Sequence, residues 1–203
     1  MYAKRTLDIL ASLSGLLLLA PLLAIIAILV RATSDGPALF VQNRLGRNGN
    51  TFRMYKVRTM AHGAPDLRNP DGTTIASDTD KRVTPIGRFL RRSSLDELPQ
   101  LLNVLLGDMS LVGPRPELPD GLPRYLPEHL RRLDARPGIT GWAAVHGRND
   151  LPLPQRRDLD VWYVEHFSLA LDLRILARTF GIVLRGSGVN KADGATASSG
   201  PLA

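Results

Sequence analysis

The 203-residue chain is long enough to bury one core of ordinary size, with room for a short appendage but not a second domain. It contains no cysteine, which excludes a disulfide framework and thiolate metal sites and fits a chain whose bulk stays in a reducing compartment. Its net charge of +7 favours anionic partners, and with aromatics at only 5% it lacks the stacked rings that read bases, so acidic lipid and nucleotides come ahead of nucleic acid.

The first predicted element is apolar. From Ile9 to Val30 run 22 residues without a charge, and at roughly 1.5 Å per residue a straight helix of that length crosses a hydrocarbon core of about 30 Å. Pro21 falls near its middle, where it removes a helix hydrogen bond and costs about 3 kcal/mol. Lys4 and Arg5 precede the run and Arg31 follows it, so flanking charge gives no direction of crossing. A re-entrant helix over 1–35 that enters, kinks and returns keeps both basic ends on one face. A single span and a buried core helix are the alternatives.

Ala38–Arg44 and Thr51–Met60 then read as two strands of a small β-hairpin, joined by Gly46-Arg-Asn-Gly-Asn50. Alternation puts Lys56 and Arg58 on one face, either as a phosphate grip or as a solvated basic face. His62–Lys81 is polar and without period, as expected of a surface loop. Thr84-Pro85 provides an N-cap and a first-turn proline for an amphipathic helix. In that helix Ile86, Phe89 and Leu90 form the apolar stripe, and Arg88, Arg91 and Arg92 face headgroups or solvent.

Adjacent carboxylates follow at Asp96 and Glu97. Ser94 and Glu97 have the spacing of a capping box, yet Pro99 fits a helix interior poorly, so the helix can instead start at Pro99 and leave both acids in the preceding turn. Leu98, Leu101, Leu102 and Leu105 make its predicted buried stripe, and Gly107 its end. Flanking prolines in Pro114-Arg-Pro116 restrict the backbone of Arg115, which suits bidentate phosphate recognition or a plain surface turn. Ser168–Leu184 reads as an interfacial or packed helix, and the Gly-, Ser- and Ala-rich stretch 186–203 as a disordered tail. The four histidines lack metal-ligand spacing, and no glycine-rich phosphate loop is present.

Six blocks in order carry a resemblance. They are Lys56-Val-Arg-Thr-Met60, Thr84-Pro-Ile-Gly-Arg88, Ser94-Leu-Asp-Glu-Leu-Pro-Gln100, Gly107-Asp-Met-Ser-Leu-Val-Gly-Pro-Arg-Pro116, Arg136-Pro-Gly-Ile-Thr-Gly-Trp142 and Gly147-Arg-Asn149. Together they resemble the bacterial sugar transferase family, the small monotopic phosphoglycosyl transferases, from the apolar N-terminus to Val183. The resemblance implies a mainly α, α+β protein: a re-entrant helix, amphipathic interfacial helices and a small hairpin, with a catalytic domain over 36–185. It further implies transfer of a sugar 1-phosphate from a UDP-sugar to undecaprenyl phosphate, with UMP released and Mg²⁺ required. The work would be done at the cytoplasmic face of the bacterial inner membrane, with nucleic acid playing no part and a homodimer left open. By position, Asp96 matches the family's nucleophile and metal-binding aspartate, and Glu97 its partner. Lys56, Arg91 and Arg115 match the polar residues around the phosphates, Arg148 a nucleotide contact and Asp172 a second acid, while Arg58 is a substrate-binding candidate through its strand position beside Lys56. Ala20 precedes Pro21 where the family has serine. A catalytically silent adaptor of a polysaccharide assembly complex is the rival reading.

Overall fold

The computed structural model describes residues 2–69, 75, 79–147 and 150–185. Arg148, residues 70–74 and 76–78 of the predicted surface loop, and the predicted tail 186–203 lie outside the described residues. In chain order the elements are α1 (Tyr2–Thr33), β1 (Leu39–Leu45), β2 (Thr51–Val57), α2 (Pro85–Arg92), α3 (Gln100–Leu106), β3 (Ser110–Val112), β4 (Gly138–Thr140), α4 (Leu153–Glu165) and α5 (Leu169–Arg185). Short 3-10 turns fill the gaps, among them Leu95–Glu97 and Ala144–His146. The mainly α, α+β architecture expected from the sequence is what the chain adopts.

α1 continues through Pro21 as one helix of 32 residues, about 48 Å long at 1.5 Å per residue. It is long and apolar enough to cross a membrane, with a mean hydropathy of 2.8 in its best window, of which only 11% is buried. A soluble core helix of that composition would be mostly covered. Leu10, Leu17, Leu18, Ile25 and Ile28 are all more than half exposed.

Both ends of α1 are nevertheless tied to the rest of the protein. Near its start, the Lys4 ammonium donates to Asp172 at 2.6 Å and to the Val112 carbonyl at 2.9 Å. Arg5 donates to the Val104 and Leu105 carbonyls at 2.6 and 2.9 Å. Those carbonyls belong to the last turn of α3, where the helix dipole favours a cation. The buried Asp8 accepts from Ser110 Oγ at 3.1 Å and Leu111 N at 3.0 Å. Near the far end, Ile26 and Val30 pack with Val57 and Leu90 in one core cluster. Two further clusters complete the core, Met54, Val104 and Met109 beneath the hairpin, and Val112, Tyr163, Leu171 and Ile175 under α5.

β1 and β2 form the predicted antiparallel hairpin, with Leu39 opposite Val57 and Leu45 opposite Thr51. A second sheet, β3 paired in parallel with β4, has no counterpart in the sequence reading. Strands of three residues are too short to show alternation. The predicted cap of α2 is present, with Gly87 N donating to Thr84 Oγ1 at 3.0 Å. Gly87 itself is required by close approach: a Cβ there would lie 2.0 Å from the Thr59 carbonyl oxygen. Two stripe assignments need correction. Phe89 is 59% exposed, not packed inward. In α3, Leu102 faces outward and Leu101, Leu105 and the preceding Leu98 are only half-buried, whereas the buried positions are Gln100, Val104 and Asn103, whose side chain accepts from Tyr55 N at 3.0 Å and donates to the Arg53 carbonyl at 2.7 Å. Asn103 fastens α3 to β2, a role that apolar periodicity cannot reveal.

Candidate active site

Asp96 and Glu97 are presented by a turn, not by a capped helix. Ser94 adopts a left-handed conformation (φ 56°, ψ 17°) and makes no capping hydrogen bond, so the capping-box reading fails. Leu95–Glu97 form a 3-10 turn, and α3 starts only after Pro99. A proline ring at that point fixes φ and removes a donor, which sets the helix start and leaves both acids ahead of it.

A cavity of about 850 Å³ opens in front of this turn. Lys56, Arg58, Arg91, Asp96, Glu97 and Arg115 all line it, so six of the eight residues singled out from the sequence converge. Lys56 comes from the end of β2, and its Nζ lies 2.9 Å from Glu97 Oε1. Arg115 Nη2 is 3.6 Å from the same oxygen. The two cations are thus engaged by Glu97, leaving Asp96 as the carboxylate they do not pair with directly. Arg91 approaches from the last turn of α2, with its Nε donating to Thr59 Oγ1 at 2.9 Å.

Burial pushes the Asp96 carboxyl up to about 6, and the neighbouring Glu97 charge adds to this, against opposition from Lys56, Arg91 and Arg115. Asp96 is only 9% exposed. Burial disfavours the charged carboxylate against the help of the surrounding cations, and perturbation of this kind in a cleft marks a functional site.

Asp172 is placed elsewhere than the sequence suggested, and Arg58, although it lines the cavity, is tied to the end of α1. β2 ends at Val57, so the strand alternation that pairs Arg58 with Lys56 stops one residue short. The Arg58 guanidinium turns back to the end of α1, donating from Nε to the Pro37 carbonyl at 2.6 Å and from Nη2 to the Ser34 carbonyl at 2.9 Å. It closes the exit of the apolar helix while it lines the cavity. Asp172 is 1% exposed and lines no part of the cavity; it holds Lys4 and accepts from Tyr163 OH at 2.6 Å.

Several site features escaped the sequence reading. Arg44, from β1, lines the cavity; burial and the nearby Arg115 and Arg68 charges lower it to about 10, so it stays cationic at neutral pH. Its Nε is buried without a partner. Behind Arg115 stands a buried charge network. Arg132 donates to the Arg115 carbonyl at 2.7 Å and pairs with Asp160 at 2.5 Å, while Arg157 pairs with Glu117 at 2.7 Å. The prolines on either side restrict the Arg115 backbone, and Arg132 fixes its carbonyl. A cluster of arginines looks like surface charge in a sequence, and only the fold supplies the acids that pair with it.

Among the described residues no three His, Asp or Glu side chains gather as a ready-made metal cage. The adjacent donors at the turn are the two hard oxygen ligands Asp96 and Glu97. That set fits Mg²⁺, which is commonly held by one or two carboxylates with substrate phosphates completing its shell.

The family profile described as bacterial sugar transferase matches residues 1–186. The chain is 42% identical over 197 residues to the sugar transferase EpsL of Bacillus subtilis, covering 97% of this chain and 95% of EpsL. It is 40% identical over 195 residues to the UDP-N-acetylgalactosamine-undecaprenyl-phosphate N-acetylgalactosaminephosphotransferase of Aeromonas hydrophila. It is 41% identical over 202 residues to the undecaprenyl-phosphate galactose phosphotransferase of Salmonella typhimurium. Each of these two alignments covers 92% of this chain, which spans only 45% and 41% of those longer relatives. A profile match over nearly the full length, with the cationic cavity around Asp96 and Glu97, places this chain in the bacterial sugar transferase family.

Proposed function

We propose that the protein transfers a sugar 1-phosphate from a UDP-sugar to undecaprenyl phosphate and releases UMP, as an early membrane step in bacterial glycoconjugate or polysaccharide synthesis. The observation that carries this reading is Asp96: a buried carboxylate, raised to about 6, at the wall of a cavity whose other charged lining is largely cationic. The names of the Aeromonas and Salmonella relatives agree with such a reaction.

In this reading the diphosphate is gripped by Arg91 and Arg115, with Lys56 steadying Glu97. An Asp96 oxygen attacks the sugar-bearing phosphorus. The bond from that phosphorus to the bridging oxygen breaks, and UMP departs with the electron pair, leaving an acyl phosphate on Asp96. A phosphate oxygen of the lipid then attacks the same phosphorus and returns the electrons to the Asp96 carboxylate. Mg²⁺ held by Asp96 and Glu97 would supply charge neutralisation at the diphosphate. Exclusion of water, the positioning of both carboxylates and the restrained Arg115 are the protein's own contributions.

The contacts of α1 favour one topology. A helix spanning the bilayer would put one end on each side, yet Lys4, Arg5 and Asp8 at one end and Ile26 and Val30 at the other all pack on the same domain. This supports a monotopic arrangement at the cytoplasmic face, with the exposed leucines of α1 in lipid.

A panel of UDP-sugars, assayed for UMP release with undecaprenyl phosphate and Mg²⁺, tests the reading. Acceptor-dependent release from at least one UDP-sugar is expected. Tight UDP-sugar binding without turnover across the panel would favour the adaptor reading instead.

A further inference from the structure

A second cavity, of about 270 Å³, lies beside the first, between the start of α3, β4, the Ala144–His146 turn and the last turns of α5. The two share a wall: Ser94, Glu97, Arg115, Ile139, Thr140 and Ala144 line both. Their chemistry differs. Away from the shared wall the second cavity is bounded by Leu98, Leu101, Val145, Ile182 and Val183. Of its hydroxyls, Thr140 is bonded to Thr179 at 2.7 Å and Ser93 to the Phe89 carbonyl at 2.9 Å, and Ser94 stands on the shared wall. An occupant therefore meets apolar walls along the cleft and charge only at its inner end, where Glu97 and Arg115 stand.

The outer side of the cleft borders the apolar helix α1 and an exposed stretch of α5. Leu101 sits against α1, so closely that a Cβ on Gly15 would come within 3.2 Å of its Cδ1. Val183, on the other side, is 40% exposed, and Phe180 in the same helix is 68% exposed. Against the apolar walls formed by Leu98, Leu101, Val145, Ile182 and Val183, a sugar or nucleotide would bury hydroxyls with nothing to bond, which is costly. A molecule that is apolar along its length and anionic at its tip fits both the walls and the end.

We infer that this cleft is the acceptor subsite: it holds the phosphate-proximal isoprene units of the lipid phosphate and delivers the phosphate to Arg115, beside Asp96. The inference rests on the lipid-phosphate acceptor proposed above. It divides the site, with the UDP-sugar in the larger polar cavity and the lipid entering from the membrane side, so that the two anions meet at Glu97 and Arg115. The remainder of the isoprenoid chain stays in the bilayer.

Ile182→Trp fills the cleft and Val183→Trp blocks its rim at a half-exposed position that accepts a large side chain; Ile182→Leu is the conservative control. Steady-state KM values are measured separately for the UDP-sugar and for undecaprenyl phosphate in one detergent. The expected result is an acceptor KM raised about tenfold or more in both tryptophan variants, the scale of excluding apolar groups from a fitted pocket. Donor KM should change by less than about twofold, and Ile182→Leu should behave as the unaltered protein. UMP released without acceptor counts the competent sites in each preparation, so a poorly folded variant is corrected for. Geranyl phosphate, which has only the proximal isoprene units, should show the same loss. An unchanged acceptor KM, or a rise in donor KM instead, overturns the subsite. Failure of the unaltered protein to use any lipid phosphate overturns the underlying acceptor reading instead.

Discussion

Replacing Asp96 by asparagine should remove activity and strengthen the fold at once. In the unfolded chain the carboxyl titrates near 3.8; in the folded protein burial and Glu97 raise it to about 6. Below the lower value both states are protonated and the group costs nothing. As pH rises from about 4 to 6 the unfolded state ionises first, so stability falls, and above 6 the folded state carries the full penalty of about 3 kcal/mol. Asparagine keeps the shape without the charge. For a chain of this size, about 2–4 °C accompanies each kcal/mol, so Asp96→Asn should raise the melting temperature by several degrees at pH 7.5, in EDTA and without substrate. The gain should shrink towards zero near pH 4. Turnover in the same preparation should drop by several orders of magnitude. Thermal unfolding in detergent between pH 4 and 8, with parallel assays of UMP release, makes both readings. A variant that is less stable at pH 7.5, or that differs equally at every pH, would refute the claim that Asp96 is held as a costly buried charge.

Other outcomes follow from the contacts. Glu97→Gln removes the charge that engages Lys56 and Arg115, and should lower kcat by about two orders of magnitude or more; a protein that loses only about 1 kcal/mol of stability and keeps its rate would show Glu97 to be merely structural. Asp172→Asn leaves the Lys4 ammonium without its carboxylate, and should cost about 2 kcal/mol or more in chemical denaturation while kcat per folded molecule is kept. A fall in kcat without loss of stability would put Asp172 back into the site. Single cysteines at Tyr2 and Phe40, in a chain otherwise free of cysteine, should both be labelled from the cytoplasmic side, and periplasmic labelling of position 2 would establish a single span.

Local signals were legible and distant pairings were not. The hairpin could be read because two alternating runs flank a turn-rich segment, and the start of α2 because Thr84 and Pro85 are adjacent. The conflict between Ser94 and Pro99 already pointed to a turn carrying Asp96 and Glu97, which is where they lie. Lys4 and Arg5 looked like membrane flanks, whereas their partners, Asp172 and the α3 carbonyls, are brought to them only by folding. Arg58 does line the cavity, but its ties to Ser34 and Pro37 were not legible because β2 ends at Val57, a boundary that alternation does not mark. Arg132 and Arg157 count as surface charge in any composition, and only the fold puts Glu117 and Asp160 against them.

The central claim is that Asp96 becomes covalently bonded to the sugar phosphate, and a single acceptor-free turnover tests it most directly. Mixed with Mg²⁺ and its UDP-sugar but no lipid, the protein should release UMP in a burst approaching about one equivalent, and acid-quenched protein should carry the sugar phosphate on the peptide that contains Asp96. UMP that appears only when undecaprenyl phosphate is added, in a preparation fully active with it, would contradict the account and leave Asp96 as a ligand for the metal and the diphosphate.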